Sequence, residues 1–174
     1  MTAYVALLRA VNVGGTGKLP MTQLVKLCEA AGFQKVKTYI ASGNVVFTSR
    51  LKEADVKATL EKKLEEYAGK PVGVMVRTPA ELREVLKTNP FRTGPGNRTV
   101  AIFLDHAPPE DTVENSSGQA EEKIALGKRE IYVLYGENMG RSKLRIPAAK
   151  RGTARNMNTV AKLAELAGEL EQVR

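Results

Sequence analysis

The chain is poor in the residues that carry most side-chain chemistry. Its 174 residues include one cysteine, Cys28, one histidine, His106, and no tryptophan, and aromatic residues make up only 5%. A lone cysteine forms no internal disulfide, which agrees with a reducing compartment. Cys28 falls on the apolar face of a predicted helix and reads as a buried structural thiol. His106, in "LDHAPP", has no second histidine and no cysteine beside it, so neither a zinc site nor a histidine-based nucleophilic triad is expected. It reads as a solvated loop residue. Long hydrophobic runs are missing as well: apolar residues reach 43% but fall in short periodic runs, none near the roughly 18 needed to span a bilayer. No membrane anchor is expected. The opening "MTAYVALLRAV" lacks the basic start and small-residue cleavage site of a signal peptide, so the expected location is the cytoplasm.

What is present is regular punctuation. Residues 3 to 10 form a first strand candidate, and Leu24, Leu27, Cys28 and Ala31 follow at helical spacing between Pro20 and Gly32. "VKTYIASGNVVF" supplies two β-rich runs joined by a Ser42-Gly43-Asn44 turn. Val56, Leu60 and Leu64 mark a second helix ending at Gly69, and a strand follows at 72 to 76. The resulting order, βαββαβ, is the split arrangement of ferredoxin-like folds. A further helix opens on a capping box of Thr78, Pro79 and Glu81, with Leu82, Val85 and Leu86 as its apolar face. "NPFRTGPGNR" then reads as a linker, placing one unit at 1 to 90 and a second at 91 to 174.

The second half has a strand at 99 to 104, a polar stretch expected to be helical at 109 to 117, and strands at 123 to 127 and 130 to 135 around a Gly127-Lys128 turn. Helical segments follow, ending with 158 to 170, where Asn158 is expected to cap a helix that buries Val160, Leu163, Ala164 and Ala167. This half repeats βαββα without an obvious last strand, a duplication of topology with no visible sequence repeat. The expected class is α+β: two ferredoxin-like units, each a mainly antiparallel sheet covered by helices, within one compact structure.

"NVGGTGKLP", residues 12 to 20, poses the question of a phosphate loop. A Walker loop fails here, because Asn12 replaces its first glycine and Leu19 its hydroxyl residue. The GxGxxG spacing of a dinucleotide site is absent too, so no cofactor is expected. Two readings stay open: an anion-binding nest of backbone amides, or an ordinary βα turn. In a βαββαβ unit the first two strands run parallel, which brings Asn12 to Lys18 and Ser42 to Asn44 to one edge of the sheet, near Arg9. Such a group suits a phosphate, a carboxylate or a nucleic-acid backbone. Ser-Gly-Asn also makes a sound turn with no function.

Charge is unevenly placed. The net charge is +8, and residues 138 to 161 hold Arg141, Lys143, Arg145, Lys150, Arg151 and Arg155 with no acid. Without these six the chain would carry only +2. Residues 99 to 122 hold Asp105, Glu110, Asp111, Glu114, Glu121 and Glu122 with no Lys or Arg. The basic segment is the footprint expected of phosphate contact; alternatively the acidic stretch neutralises it within the fold or between subunits. No aromatic residue in the basic segment offers a base a stacking surface, so contact would run through the nucleic-acid backbone.

"LLRAVNVGG", "LPMTQLVKLCEAAGF", "TYIASGNVVF", "GRSKL" and "TARNMNTVAKLAEL" resemble, in order and across nearly the whole chain, the motifs of the bacterial proteins grouped as domain of unknown function family 1697. The resemblance implies an α+β fold of two ferredoxin-related units and no established activity, substrate or cofactor. Its motifs fall on Arg9, Asn12, Gly14 and Gly15, on Ser42, Gly43 and Asn44, and on Gly140, Arg141, Ser142, Lys143, Leu144, Arg155, Asn156 and Asn158. Met157 stands where the family commonly has Trp and Ala41 where it commonly has Gln, and "RIPAAKRG" lacks an expected acid.

Three functional readings follow. The first is anion binding, with nucleic acid ahead of a small phosphorylated ligand: the six cations supply charge, and Asn12, Gly14, Gly15, Lys18, Ser42 and Asn44 form a more specific pocket. The second is a cofactor-independent enzyme or sensor for a phosphorylated or carboxylated metabolite, with Ser42 or Lys18 as participants and no evident general base. The third is an interaction module using an uncovered sheet face or edge.

Overall fold

A computed structural model describes residues 1 to 10 and 18 to 172. The chain divides into two units, Met1–Leu82 with Lys162–Arg174, and Arg83–Ala161. The first unit contains β1 (Thr2–Leu8), α1 (Met21–Ala30), β2 (Gln34–Thr38), β3 (Asn44–Ser49), α2 (Glu53–Ala68) and β4 (Val74–Arg77), leading into α3 (Pro79–Thr88). Its sheet has the order β2-β3-β1-β4 with every neighbouring pair antiparallel. β1 and β2 therefore run the same way with β3 between them, the split βαβ arrangement. Alternation puts Tyr4, Ala6 and Leu8 of β1 and Val45 and Phe47 of β3 on one face, against Leu24 and Cys28 of α1 and Val56, Leu60 and Leu64 of α2. Phe33 stacks on Phe47 with ring centroids 4.3 Å apart. Gly69 ends α2 in the left-handed conformation, φ 73°, and its amide bonds the Glu65 carbonyl.

The second unit contains β5 (Thr99–Phe103), β6 (Lys123–Leu126), β7 (Glu130–Leu134) and β8 (Thr153–Asn156), followed by α4 (Met157–Gln172). Its order, β6-β7-β5-β8, is that of the first sheet strand for strand, again antiparallel throughout. The duplication of topology is thus complete at the level of the sheets. Val100, Ile102, Leu104, Ile131 and Val133 form its core cluster, onto which Tyr135, Leu144 and Ile146 pack.

Three expectations are corrected here. Residues 109 to 117 hold successive turns and no helix. The hydroxyls of Thr112 and Ser116 bond the carbonyls of Pro109 and Val113, competing with the helical ladder, and half-exposed Val113 gives no apolar stripe to bury. A last strand does exist: "TARN" is β8, paired with β5 through Ala101 and Arg155. The cap of α4 is Asn156, whose Oδ1 accepts the Thr159 amide at 2.9 Å, while Asn158 is exposed. The capping box of α3 forms as expected, Thr78 and Glu81 exchanging bonds of 2.9 and 3.2 Å. Among the described residues no helix is long and apolar enough to cross a membrane.

Candidate functional site

Between β7 and β8 the basic segment passes from a 3₁₀ turn, Met139–Arg141, through an extended ribbon into a second 3₁₀ turn, Pro147–Ala149. Ser142 (φ −60°, ψ 136°) and Ile146 (φ −120°, ψ 102°) are extended, and Arg145 forms an antiparallel bridge with Ser117 through reciprocal bonds of 2.8 and 2.9 Å. Leu144 and Ile146 pack onto the core, so the alternate residues Lys143 and Arg145 are exposed, as is Arg141 at the ribbon's start. At about 3.3 Å per residue, Lys143 and Arg145 stand roughly 6.6 Å apart along the chain, and Arg141 closes the turn just before them. Lys150 and Arg151 are exposed beyond it. Gly118 lets the two strands meet: its φ is +73°, and a methyl group there would strike the Lys143 carbonyl oxygen.

Arg155 stands apart from this set. It is buried in β8 at 8% exposure, and its guanidinium donates to the Thr153 hydroxyl at 2.7 Å and the Ala154 carbonyl at 2.9 Å. Burial pushes its pKa down to about 10. Arg77, at 1% exposure in β4, donates to the Val76 carbonyl at 3.0 Å in the same manner. In each unit the fourth strand thus carries a buried arginine followed by the residue that caps the next helix, Thr78 or Asn156. This shared role is a repeat that comparison of letters misses, since "RTP" and "RNM" agree only in the arginine.

Beside the ribbon lies a cavity of about 280 Å³ lined by Glu121, Glu122, Tyr135, Asn138, Arg141 and Ser142, among others. Glu122 is 6% exposed and fully engaged: one carboxylate oxygen accepts the Ala120 amide at 2.7 Å and the other the Ser142 hydroxyl. Ser142 Oγ in turn accepts the Leu144 amide at 3.2 Å. The Ser142 hydroxyl, and after it the Ala120 amide, hold the Glu122 carboxyl below its usual range. Burial, and then the Glu122 charge, push the Tyr135 phenol up. The acidic stretch and the basic motif therefore meet in one cavity. Sequence reasoning assigned no site role to Glu122, Tyr135 or Asn138, because the carboxylate that anchors Ser142 lies twenty residues before it.

At the end of β1 in the first unit, the Gly43 carbonyl accepts the Leu8 amide at 2.8 Å, so the Ser42-Gly43-Asn44 turn lies beside that strand end. Gly43 has φ +86°. Asn44 is fully buried, and its amide nitrogen donates to the Tyr39 carbonyl at 3.0 Å and Ser42 Oγ at 2.9 Å. Arg9 is exposed and its backbone amide bonds the Gly73 carbonyl at 2.9 Å. Lys18 is exposed and lines a second cavity. Asn12, Gly14 and Gly15 lie outside the described residues. Among the described residues no group of His, Cys, Asp and Glu could hold a metal ion.

The sequence profile of the family described as "Protein of unknown function (DUF1697)" matches residues 1–132, ending inside β7. The solved structure of the conserved bacterial protein SP0830 from Streptococcus pneumoniae has 23% identity and a TM-score of 0.77, over 95% of this chain and 98% of that one. At that identity it is the fold that is shared. No curated protein matches the chain.

Proposed function

The chain belongs to the DUF1697 family, whose description assigns no chemistry, and from that premise we propose that it binds phosphate groups of nucleic acid through the cationic ribbon of its second unit. One observation carries the reading: Arg141, Lys143 and Arg145 are all exposed along a ribbon whose Leu144 and Ile146 pack inward. Lys143 and Arg145, roughly 6.6 Å apart along the chain, offer neighbouring cations to a duplex strand that carries one phosphate for about every 3.4 Å of helix axis. Residues 138 to 161 themselves contain no acid, and the Glu122 carboxylate beside the ribbon is taken up by the Ser142 hydroxyl and the Ala120 amide. Arg155, being buried, serves β8 instead of the ligand. The reading places the protein in the cytoplasm, where its single buried thiol stays reduced.

Fluorescence anisotropy with short single- and double-stranded DNA and RNA at several salt concentrations tests it. Each neutralised phosphate contributes about −0.9 to the log-log salt slope on duplex DNA, so Arg141→Gln/Lys143→Gln/Arg145→Gln should flatten the slope by about 2.7. An unchanged slope in the folded triple variant rejects the assignment. The 280 Å³ cavity favours a second reading, a small phosphorylated compound whose hydroxyls meet Glu121 and Asn138 while its phosphate meets Arg141. Thermal stabilisation by one such compound and by no oligonucleotide would select that reading.

A further inference from the structure

We propose that the first unit carries a separate binding site for a small apolar molecule ending in a single negative charge. The site is a cavity of about 380 Å³ near the carboxyl end of β1, with Lys18, Leu19, Leu64, Tyr67, Lys70 and Val72 in its walls. Its floor is core: Leu19 and Leu64 are 4% and 1% exposed members of the first unit's hydrophobic cluster, and half-buried Val72 packs against the same cluster. Tyr67, in the last turn of α2, is 43% exposed, which leaves its ring open to a ligand. Walls of this kind discard water from an apolar body and gain nothing from a sugar or a chain of phosphates.

Charge sets the other end of the ligand. Lys18 and Lys70 are both exposed, and no carboxylate is among the described residues lining the cavity. Lys70 follows the Gly69 cap of α2, a helix with no basic residue in its last turn. The carboxyl end of a helix carries about half a negative charge, which offsets part of Lys70 and leaves an excess of about one and a half charges. A carboxylate meets that excess at a lower desolvation cost against the apolar walls than a dianionic phosphate does. Size agrees: at roughly 30 Å³ per water-sized group, the cavity holds about 12 non-hydrogen atoms, the scale of an aryl or branched-alkyl carboxylate. Ala10, also in the wall, has φ +53°, a left-handed backbone that alanine adopts at a cost.

The experiment is calorimetric titration of the full chain with 1-naphthoate, its neutral analogue 1-naphthamide, and 1-naphthyl phosphate. Naphthoate should bind saturably at one site, about tenfold or more tighter than the amide, as a charge-assisted contact implies. Lys18→Gln/Lys70→Gln should abolish that preference while leaving amide binding unchanged, and Val72→Trp, which fills the cavity, should weaken both ligands. Naphthyl phosphate should bind no tighter than naphthoate. Arg141→Gln/Lys143→Gln/Arg145→Gln should leave naphthoate binding as it is, which separates this site from the nucleic-acid ribbon. Absence of saturable naphthoate binding, or a preference that survives in the double lysine variant, overturns the proposal.

Discussion

Cys28 is 0% exposed on the inner face of α1, and burial pushes its thiol up to about 12. The native state therefore holds the proton at a pH where the unfolded chain has released it, since a free thiol ionises near 8.5. Stability from this residue is complete below that pH and is lost as pH rises toward 12. Between pH 8 and pH 10 the native protein should lose about 1–2 kcal/mol more than Cys28→Ala does, read from urea midpoints at the two pH values. Equal losses would show that the thiol is not shielded. The buried character of Cys28 was legible from helical spacing alone. The places of Asn44 and Arg155 in the fold were not: both are polar residues of a motif, and their burial and their bonds to Tyr39, Ser42, Thr153 and Ala154 are visible only in the structure. Likewise, Lys18 stood out beside its glycines, but Tyr67 and Lys70 share its cavity from a different helix end, a proximity no local pattern records.

The elements of the first unit could be read because apolar residues recur at about 3.6 in α1 and α2, and because Ala3 to Leu8 of β1 is one short unbroken apolar run. β8 alternates with a period of 2, but with the polarity reversed: Thr153 and Arg155 face inward and Ala154 is exposed. A search for alternating apolar residues passes over it. The same short segment moves the start of α4, so Asn156 takes the cap that sequence gave to Asn158. Asn156→Ala should cost about 1 kcal/mol by leaving the Thr159 amide without its acceptor, whereas exposed Asn158→Ala should stay within about 0.5 kcal/mol of the parent. Urea denaturation of the two variants side by side decides it; equal losses would mean that both asparagines anchor the helix start. In the candidate site, the charge of "GRSKL" was plain, but the ribbon that displays it depends on Glu122, Gly118 and Ser117, which precede their partners Ser142, Lys143 and Arg145 by 20, 25 and 28 residues.

At the scale of the whole molecule, two sheets of identical strand order each carry a buried arginine in the fourth strand. The first unit is nevertheless discontinuous, because Lys162–Arg174 counts with Met1–Leu82. β1, β3 and β4 are buried on both faces, and α1 with α2 accounts for one of them. A fragment of residues 1 to 90 omits the returning stretch, so it should melt below the full chain by circular dichroism and bind an apolar dye; a melt coincident with the full chain would show that the stretch adds nothing. Discontinuity also sets a timetable for synthesis. Between residues 82 and 162 a ribosome adding about 5–20 residues per second needs roughly 4–16 s. Throughout that interval the first unit waits without its final segment, so a pause at any codon of the second unit prolongs the time for which the first is open to chaperones and proteases.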